Sequence, residues 1–465
     1  MEFREESDSM GAVRVPASSL WGAGTERARQ ALADSGRSIP LEVIHALGLV
    51  KAACSKVNLA LCRLDQGRAD LIWQAAMEVA SGIHDREFVL DLFQTGSGTS
   101  ANMNANEVIA NRANELAGFR RGAKSAVHPN DHVNMGQSSN DVFPTSIHVA
   151  ACIHASKQLI PSLAKLEKML EEKADCWDGI VKPGRTHLMD ATPVRMGQVF
   201  SGYAEQVKLG RERIESSLQG LQFLAIGGTA VGTGLNTRPD FGSLVAKALS
   251  ESTGMPFFEA ENHFEAQGAK DALLQHSGSM KSLSAGFSRI ANDIRLMGSG
   301  PDCGLGELRL VALQPGSSIM PGKVNPVICE AVIQMCIRVI ANDFAISLCD
   351  FGGVGSIFEL NVAMPLLADS ILESSRLLSE SARLMSEKLL PGMEVNEAHC
   401  REMAGKSRMI ATRLASVIGY DRAAEVVRRA GEENISIGQA AAGLVDAERL
   451  EGLLDPFAMT HPEEE

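Results

Sequence analysis

Four polar segments stand apart from a chain otherwise rich in helix-forming residues: "TGSGTSANMN" (95–104), "HPNDHVNMGQSSND" (128–141), "GRTHLMDATP" (184–193) and "GSSIMPGKVNPVICE" (316–330). Together they hold hydroxyls, amides, histidines, a lysine and a glutamate. That set suits a small polyanionic substrate, because some of these groups donate to carboxylates and others exchange protons. Each segment alone has a plainer explanation. "SSND" can cap a helix, and the residues after His128 can form an ordinary turn. The stiffest stretch runs from Pro315 to Pro326, with two glycines and three prolines around Ser317, Ser318, Lys323 and Asn325. Glycine also gathers in "GGTAVGTGLN" (227–236), where exposed backbone N–H groups let a ligand approach closely. "GSGTS" has neither the spacing nor the preceding strand of a dinucleotide or phosphate loop.

Helices must position these loops. Leu159, Leu163, Leu166 and Leu170 recur at helical spacing and predict one apolar stripe from Ala155 to Trp177. Ile371, Leu378 and Met385 do the same before Pro391-Gly392 stops the helix. "CEAVIQMCIRVIANDFAISL" is apolar almost all round and predicts a helix buried in a bundle. The methionines and leucines of these stripes are core packing.

Composition limits the function classes. Of 465 residues, 45% are hydrophobic and only 5% aromatic, a balance that favours helix over strand. The formal net charge of -13, with no long basic block, argues against nucleic acid and places any anion site in a tight pocket. Nine cysteines at irregular spacing, without a C-x-x-C pair, predict buried free thiols rather than disulfides or an iron–sulfur cluster. The acidic start "MEFREESDSMG" has no apolar core, and no unbroken run of about 18 apolar residues occurs, so no targeting or spanning segment is expected. The expected location is the cytoplasm.

The segments together, in their order, resemble the fumarase/aspartase superfamily and within it the class II fumarate hydratases. "GSSIMPGKVNP" is similar to the superfamily signature. "SGTSANMNANEVIANR", "VHPNDHVN", "QSSNDVFPT", "GRTHLMDATP", "IGGTAVGTGLNT", "NHFEAQ" and "FELNV" are similar to the hydratase pattern, and the likeness spans residues 8 to 460. It implies an all-α fold of three domains, here 1–138, 139–395 and 396–465, with a long central helical bundle. It implies a homotetramer with sites shared between subunits. The implied reaction is reversible hydration of fumarate to L-malate, with no metal, no organic cofactor and no membrane.

The resemblance also assigns roles. Ser317 is the base that takes the proton next to a carboxylate. A neutral hydroxyl is a poor base, so its oxyanion needs N–H donors and a cation. Lys323 and Asn325 grip the substrate carboxylate, and Ser318 contacts substrate. His187 activates water or protonates the leaving hydroxyl, which suits a group titrating near neutrality, and Glu330 is its carboxylate partner. Ser97, Gly98, Thr99, Asn102, Ser138, Ser139, Asn140 and Thr186 match substrate-binding positions. His128, Asn130 and Asp131 match a secondary anion site, or else form a structural turn. His128 and His132 are spaced like a zinc pair, but Pro129 and the lack of a third ligand oppose that reading. The chain departs from the family pattern at Gly24, Ser100 and Leu414-Ala415. Two rival readings share the fold: an aspartate ammonia-lyase, and a non-catalytic binding member.

Overall fold

The computed structural model describes residues 2–462. Helices dominate, and the strands among the described residues form five two-stranded pairs. Two hairpins, Phe3–Asp8 with Gly11–Pro16 and Val181–Thr186 with Met189–Arg195, were not legible from helix-period patterning. The leucine stripe forms as expected. A π-helical turn, Ala155–Leu159, leads into the helix Ile160–Cys176, and Leu159, Leu163, Leu166 and Leu170 are fully buried. Ile371, Leu378 and Met385 are likewise buried on Met364–Leu384 and its π-helical extension.

The chain divides into two compact units. The first comprises residues 1–161, 212–284 and 337–379, and the second 162–211, 285–336 and 380–465. Every crossing point falls within a helix. In the first unit, Leu41–Ala60 packs against Gln66–Ala80, Ser139–His154 and Phe241–Thr253, and Thr99–Leu116 lies against Gln66–Ala80. The C-terminal part of the second unit closes over its own core of Ile410, Leu414, Val426 and Ile437.

One expectation needs correction. The helix Val327–Asp350 is not buried all round. Ile337, Ile340, Phe344 and Leu348 are 44–68% exposed and recur every three or four residues, which makes one apolar stripe. This helix and Leu41–Ala60 are long and apolar enough to cross a bilayer by length and composition alone. Leu41–Ala60, however, is mostly interior. Away from its stripe, Val327–Asp350 is bound into the protein by polar contacts. Arg338 and Asn342 bond Glu373 at 2.9 and 2.8 Å, and Asp343 accepts from Ser277 and Lys281 at 2.8 and 2.6 Å.

All nine cysteines are free. Six are buried and three, Cys62, Cys176 and Cys303, are exposed. Burial pushes the thiols of Cys54, Cys152, Cys329 and Cys336 up to about 12, so these side chains pack as small apolar groups.

Two histidines of the first unit are withdrawn from water, His276 fully and His148 in large part. His148 Nδ1 lies 3.1 and 3.0 Å from the carbonyls of Leu221 and Phe223, and His276 Nδ1 lies 2.8 Å from Ser217 Oγ. Burial pushes both rings down to about 4. The unfolded chain takes up these protons near pH 6.5 and the folded protein only near 4, so the stability they confer is present above 6.5 and lost as pH falls toward 4. The loss should be on the order of 3 kcal/mol per ring at most. Denaturant unfolding at pH 7, 5.5 and 4.5 should show it, and His276→Gln should flatten the pH dependence. An unchanged dependence in the variant would place the acid sensitivity elsewhere.

Candidate active site

The first unit builds a polar hollow from two helix N-termini. Thr99–Leu116 begins after Gly98, and Ser139–His154 begins after Ser138. Ser97 Oγ lies 2.7 Å from Thr99 Oγ1, which lies 2.7 Å from Ser139 Oγ. This hydroxyl chain joins the first turns of both helices, where free N–H groups and aligned peptide dipoles favour an anion. Ser138 Oγ accepts from Asn140 N–H, while Ser138 N–H donates to Asp141. Asn140 Nδ2 donates to Ala230 O at 2.7 Å and ties the glycine-rich loop to the helix start.

The hollow has a volume of about 450 Å3. Thr99, Asn102, Ser138, Ser139 and Asn130 line it together with Thr229. Five expected residues thus meet in one cavity. His128 and Asp131 do not line it. His128 Nδ1 accepts backbone N–H groups of Asn130 and Asp131 at 3.3 and 3.2 Å, while His132 Nδ1 accepts from His128 N–H at 2.9 Å. Both Nδ1 lone pairs are therefore committed to holding the Pro129–Val133 turn. The Asp131 carboxylate also lies 3.3 Å from His128 Nδ1, but an ion pair there needs a proton on the same nitrogen. The two backbone donors favour the unprotonated nitrogen.

The second unit carries the remaining expected residues. Ser317 Oγ accepts backbone N–H bonds from Ile319 and Met320 at 3.2 and 3.0 Å. Those donors would stabilise a serine oxyanion. Gly316 N–H donates to Lys323 O, and Asn325 Nδ2 donates to Gly316 O, both at 2.8 Å, which folds the loop back on itself. A Cβ on Gly316 would lie 2.5 Å from Lys323 O, so only glycine permits this closure. Asn325 therefore braces the Ser317 loop with one of its N–H groups. Ser318 and Lys323 are exposed, and so is Glu330 in the first turn of its helix.

Thr186 and His187 sit at the tip of the second hairpin. Thr186 pairs with Met189, so His187 and Leu188 form a two-residue turn, with φ of 57° and 62°. Two successive non-glycine residues in the left-handed region are strained, and such strain persists only where surrounding structure enforces it. Buried Glu307 braces the hairpin along its first strand: it accepts from Arg185, two residues before His187, at 2.7 Å and pairs with Lys182 near the base at 3.2 Å. The tip itself is open: Leu188 and Met189 are 77% and 69% exposed. Among the described residues no hydrogen bond or ion pair within the chain joins His187 to Glu330 or to the Ser317 loop.

Comparison with known proteins decides the family. A lyase family model matches residues 11–341, and a model of the fumarase C C-terminus matches residues 410–461. The class II fumarate hydratase of Corynebacterium glutamicum is 53% identical, covering 100% of this chain and 98% of that protein. The chain belongs to the class II fumarases. The enzyme of that name from Methylorubrum extorquens is 47% identical over 100% of this chain and 98% of its own. A crystal structure of class II fumarase from Schistosoma mansoni superposes with a TM-score of 0.97 at 37% identity and full coverage of both chains.

Several residues of this fumarase's hollow escaped the sequence reading. Asn134 and Gln137 lie within a segment already marked as polar and line the hollow, as do Thr229 and Asn236 of the glycine-rich loop. Lys51 lies behind them, and its only signal was a cation inside an apolar helix. Among the departures from the family pattern, Gly24 has a local reason. Its N–H donates to buried Glu107 at 2.7 Å, and a Cβ would lie 3.0 Å from that carboxylate.

Gly98 offers a test of the hollow. Its φ is 72°, and a Cβ would lie 2.3 Å from the Phe143 ring. Gly98→Ala should therefore shift Thr99 away from Ser139. Expected effects are a stability loss of about 1–3 kcal/mol and a fall in kcat/KM for fumarate of at least about tenfold. Kinetics and thermal melts that match the parent protein would show that this contact does not position the site.

Proposed function

We propose that this class II fumarase adds water reversibly across fumarate to give L-malate, with Ser317 as the base. The observation that carries the assignment is the pair of N–H bonds from Ile319 and Met320 to Ser317 Oγ. In the malate-to-fumarate direction, Ser317 removes the proton from the carbon beside a carboxylate. The negative charge moves into that carboxylate, and Lys323 with Asn325 stabilises it. His187 protonates the leaving hydroxyl, with Glu330 orienting the ring. Thr186, Ser318 and the hollow lined by Thr99, Asn102, Ser138 and Ser139, with Ser97 and Asn140 beside it, hold the substrate carboxylates.

The active form is a homotetramer in the cytoplasm, with each site shared between subunits. Two features support assembly. The apolar stripe on Val327–Asp350 lies open in the single chain. The strained His187–Leu188 turn ends in exposed apolar side chains, which gain from burial against another subunit. His128 and Asp131 act as a structural turn beside the hollow, and Asn130 belongs to the hollow itself.

Absorbance of fumarate formed from L-malate and from L-aspartate tests the chemistry. Malate should react at least about tenfold faster, because a pocket difference as small as Ser139 against threonine discriminates by only about 1–3 kcal/mol. Ser317→Ala should lower the malate rate by about 10²–10⁴ while the circular dichroism spectrum is unchanged. A faster aspartate reaction would convert the reading to an ammonia-lyase, and near-normal turnover of the variant would remove Ser317 as base.

Assembly has its own test. Phe344→Asp places a charge in the open stripe. Light scattering should show dissociation from the tetramer, with activity lost in parallel and helicity retained. A monomeric parent protein with full activity would refute shared sites.

A further inference from the structure

The hollow of the first unit is lined by neutral residues, yet it is read here as holding a carboxylate in a protein of net charge -13. A buried cation lies one layer behind the lining. Lys51 is 0% exposed, and its Nζ donates to Asn134 Oδ1 at 3.0 Å and Gln137 Oε1 at 2.8 Å. Asn134 and Gln137 both line the hollow. Among the described residues no carboxylate lies within ion-pair distance of this ammonium. A long cation buried on neutral partners alone is costly, so it needs a reason.

The orientation of the amides gives one. An ammonium only donates, so Asn134 and Gln137 must turn their oxygens toward Lys51. Asn134 Oδ1 then also accepts from Asn102 Nδ2 at 3.3 Å and Asn106 Nδ2 at 3.1 Å. Gln137 Nε2 turns away to the carbonyls of Val133 and Met135. Lys51 therefore fixes the sense of four amides, including the substrate-facing Asn102. Asn58, Asn102 and Asn106 each keep a buried Oδ1 without a donor, so the arrangement is not the one that best satisfies these amides themselves.

We propose that Lys51 is a positioning residue of this fumarase: its buried charge orients Asn134, Gln137 and Asn102 and supplies the positive field that draws a substrate carboxylate into the hollow. The inference rests on reading the hollow as a carboxylate subsite. The titratable groups facing Lys51 among the described residues are Asp141, from Ser139–His154, and Cys54, one turn along its own helix, whose buried thiol stays neutral. The packed helices Gln66–Ala80, Thr99–Leu116 and Phe241–Thr253 present it with none. Burial pushes the ammonium down to about 7, and Asp141, itself buried, is raised to about 6. The hollow therefore loses positive charge as pH rises through neutrality, and an anion that binds there restores the proton.

The test compares Lys51→Met and Lys51→Gln with the parent enzyme from pH 5.5 to 8.5. Both variants should raise KM for fumarate roughly ten- to thirtyfold below pH 7, with kcat changed by less than about threefold. The rise of KM with pH in the parent should disappear in both. A Lys51→Gln enzyme with parental KM and pH profile would make the role one of hydrogen bonding and overturn the proposal. So would a parallel fall in kcat with a KM–pH profile of parental shape. If neither variant folds, succinate binding by calorimetry to the His187→Asn enzyme decides. Affinity that falls as pH rises above 7, with proton uptake on binding, supports the charge, and pH-independent binding overturns it. Ser139→Ala separates the two readings: unchanged KM there removes the subsite itself, whereas raised KM there with unchanged KM in the Lys51 variants removes only this inference.

Discussion

The buried carboxylate of Asp141 is the tie on which the hollow depends. One oxygen accepts Ser138 N–H at 2.9 Å, and the other accepts Gly227 and Thr229 N–H at 3.2 and 2.9 Å. It thereby caps the helix that presents Ser138, Ser139 and Asn140 and holds the glycine-rich loop against it. Burial raises its pKa to about 6, because three backbone donors only partly replace water around the charge. Such a carboxylate is tolerated where removing it would leave several N–H groups buried and unpaired.

The second unit repeats the device at its hairpin. Buried Glu307 holds Arg185 and Lys182, and the hairpin they brace projects Thr186 and His187. The Ser317 loop is held differently, by its own backbone and Asn325, with Gly316 allowing the close approach of Lys323 O. In the first unit the side chains directed at the hollow are short, polar and neutral, and the carboxylate that fixes their helix is buried. In the second, a buried carboxylate braces the hairpin, while Lys323 and Glu330 stand exposed.

The open surfaces follow from the same economy of burial. Ile337, Phe344 and Leu348 recur as a stripe on a helix whose other face is bound through Arg338, Asn342 and Asp343. A helix apolar all round is stable in water only if both faces find cover. One face is tied to the chain's own helices, and the other lies open in the single chain.

Much of this was fixed by local residue order. The leucine spacing from 159 to 170 set a helix and its buried face, because a 3.6-residue period has one way to hide its apolar side. The loop "PGSSIMPGKVNP" announced a rigid polar turn, since proline and glycine restrict the backbone wherever they stand. The family followed from the sequence of motifs. Tertiary structure alone decided the rest. The meeting of Thr99 with Ser139 depends on the packing of two helix starts forty residues apart. The hairpin at 181–195 was hidden because its strands carry prolines and polar residues that signal turns rather than pairing. The buried face expected all around Val327–Asp350 failed because hydropathy reports that a residue avoids water, not which chain covers it. Lys51 was invisible for a related reason. A lone cation in an apolar helix states no partner, and only the fold brings Asn134 and Gln137, more than eighty residues away, to its ammonium.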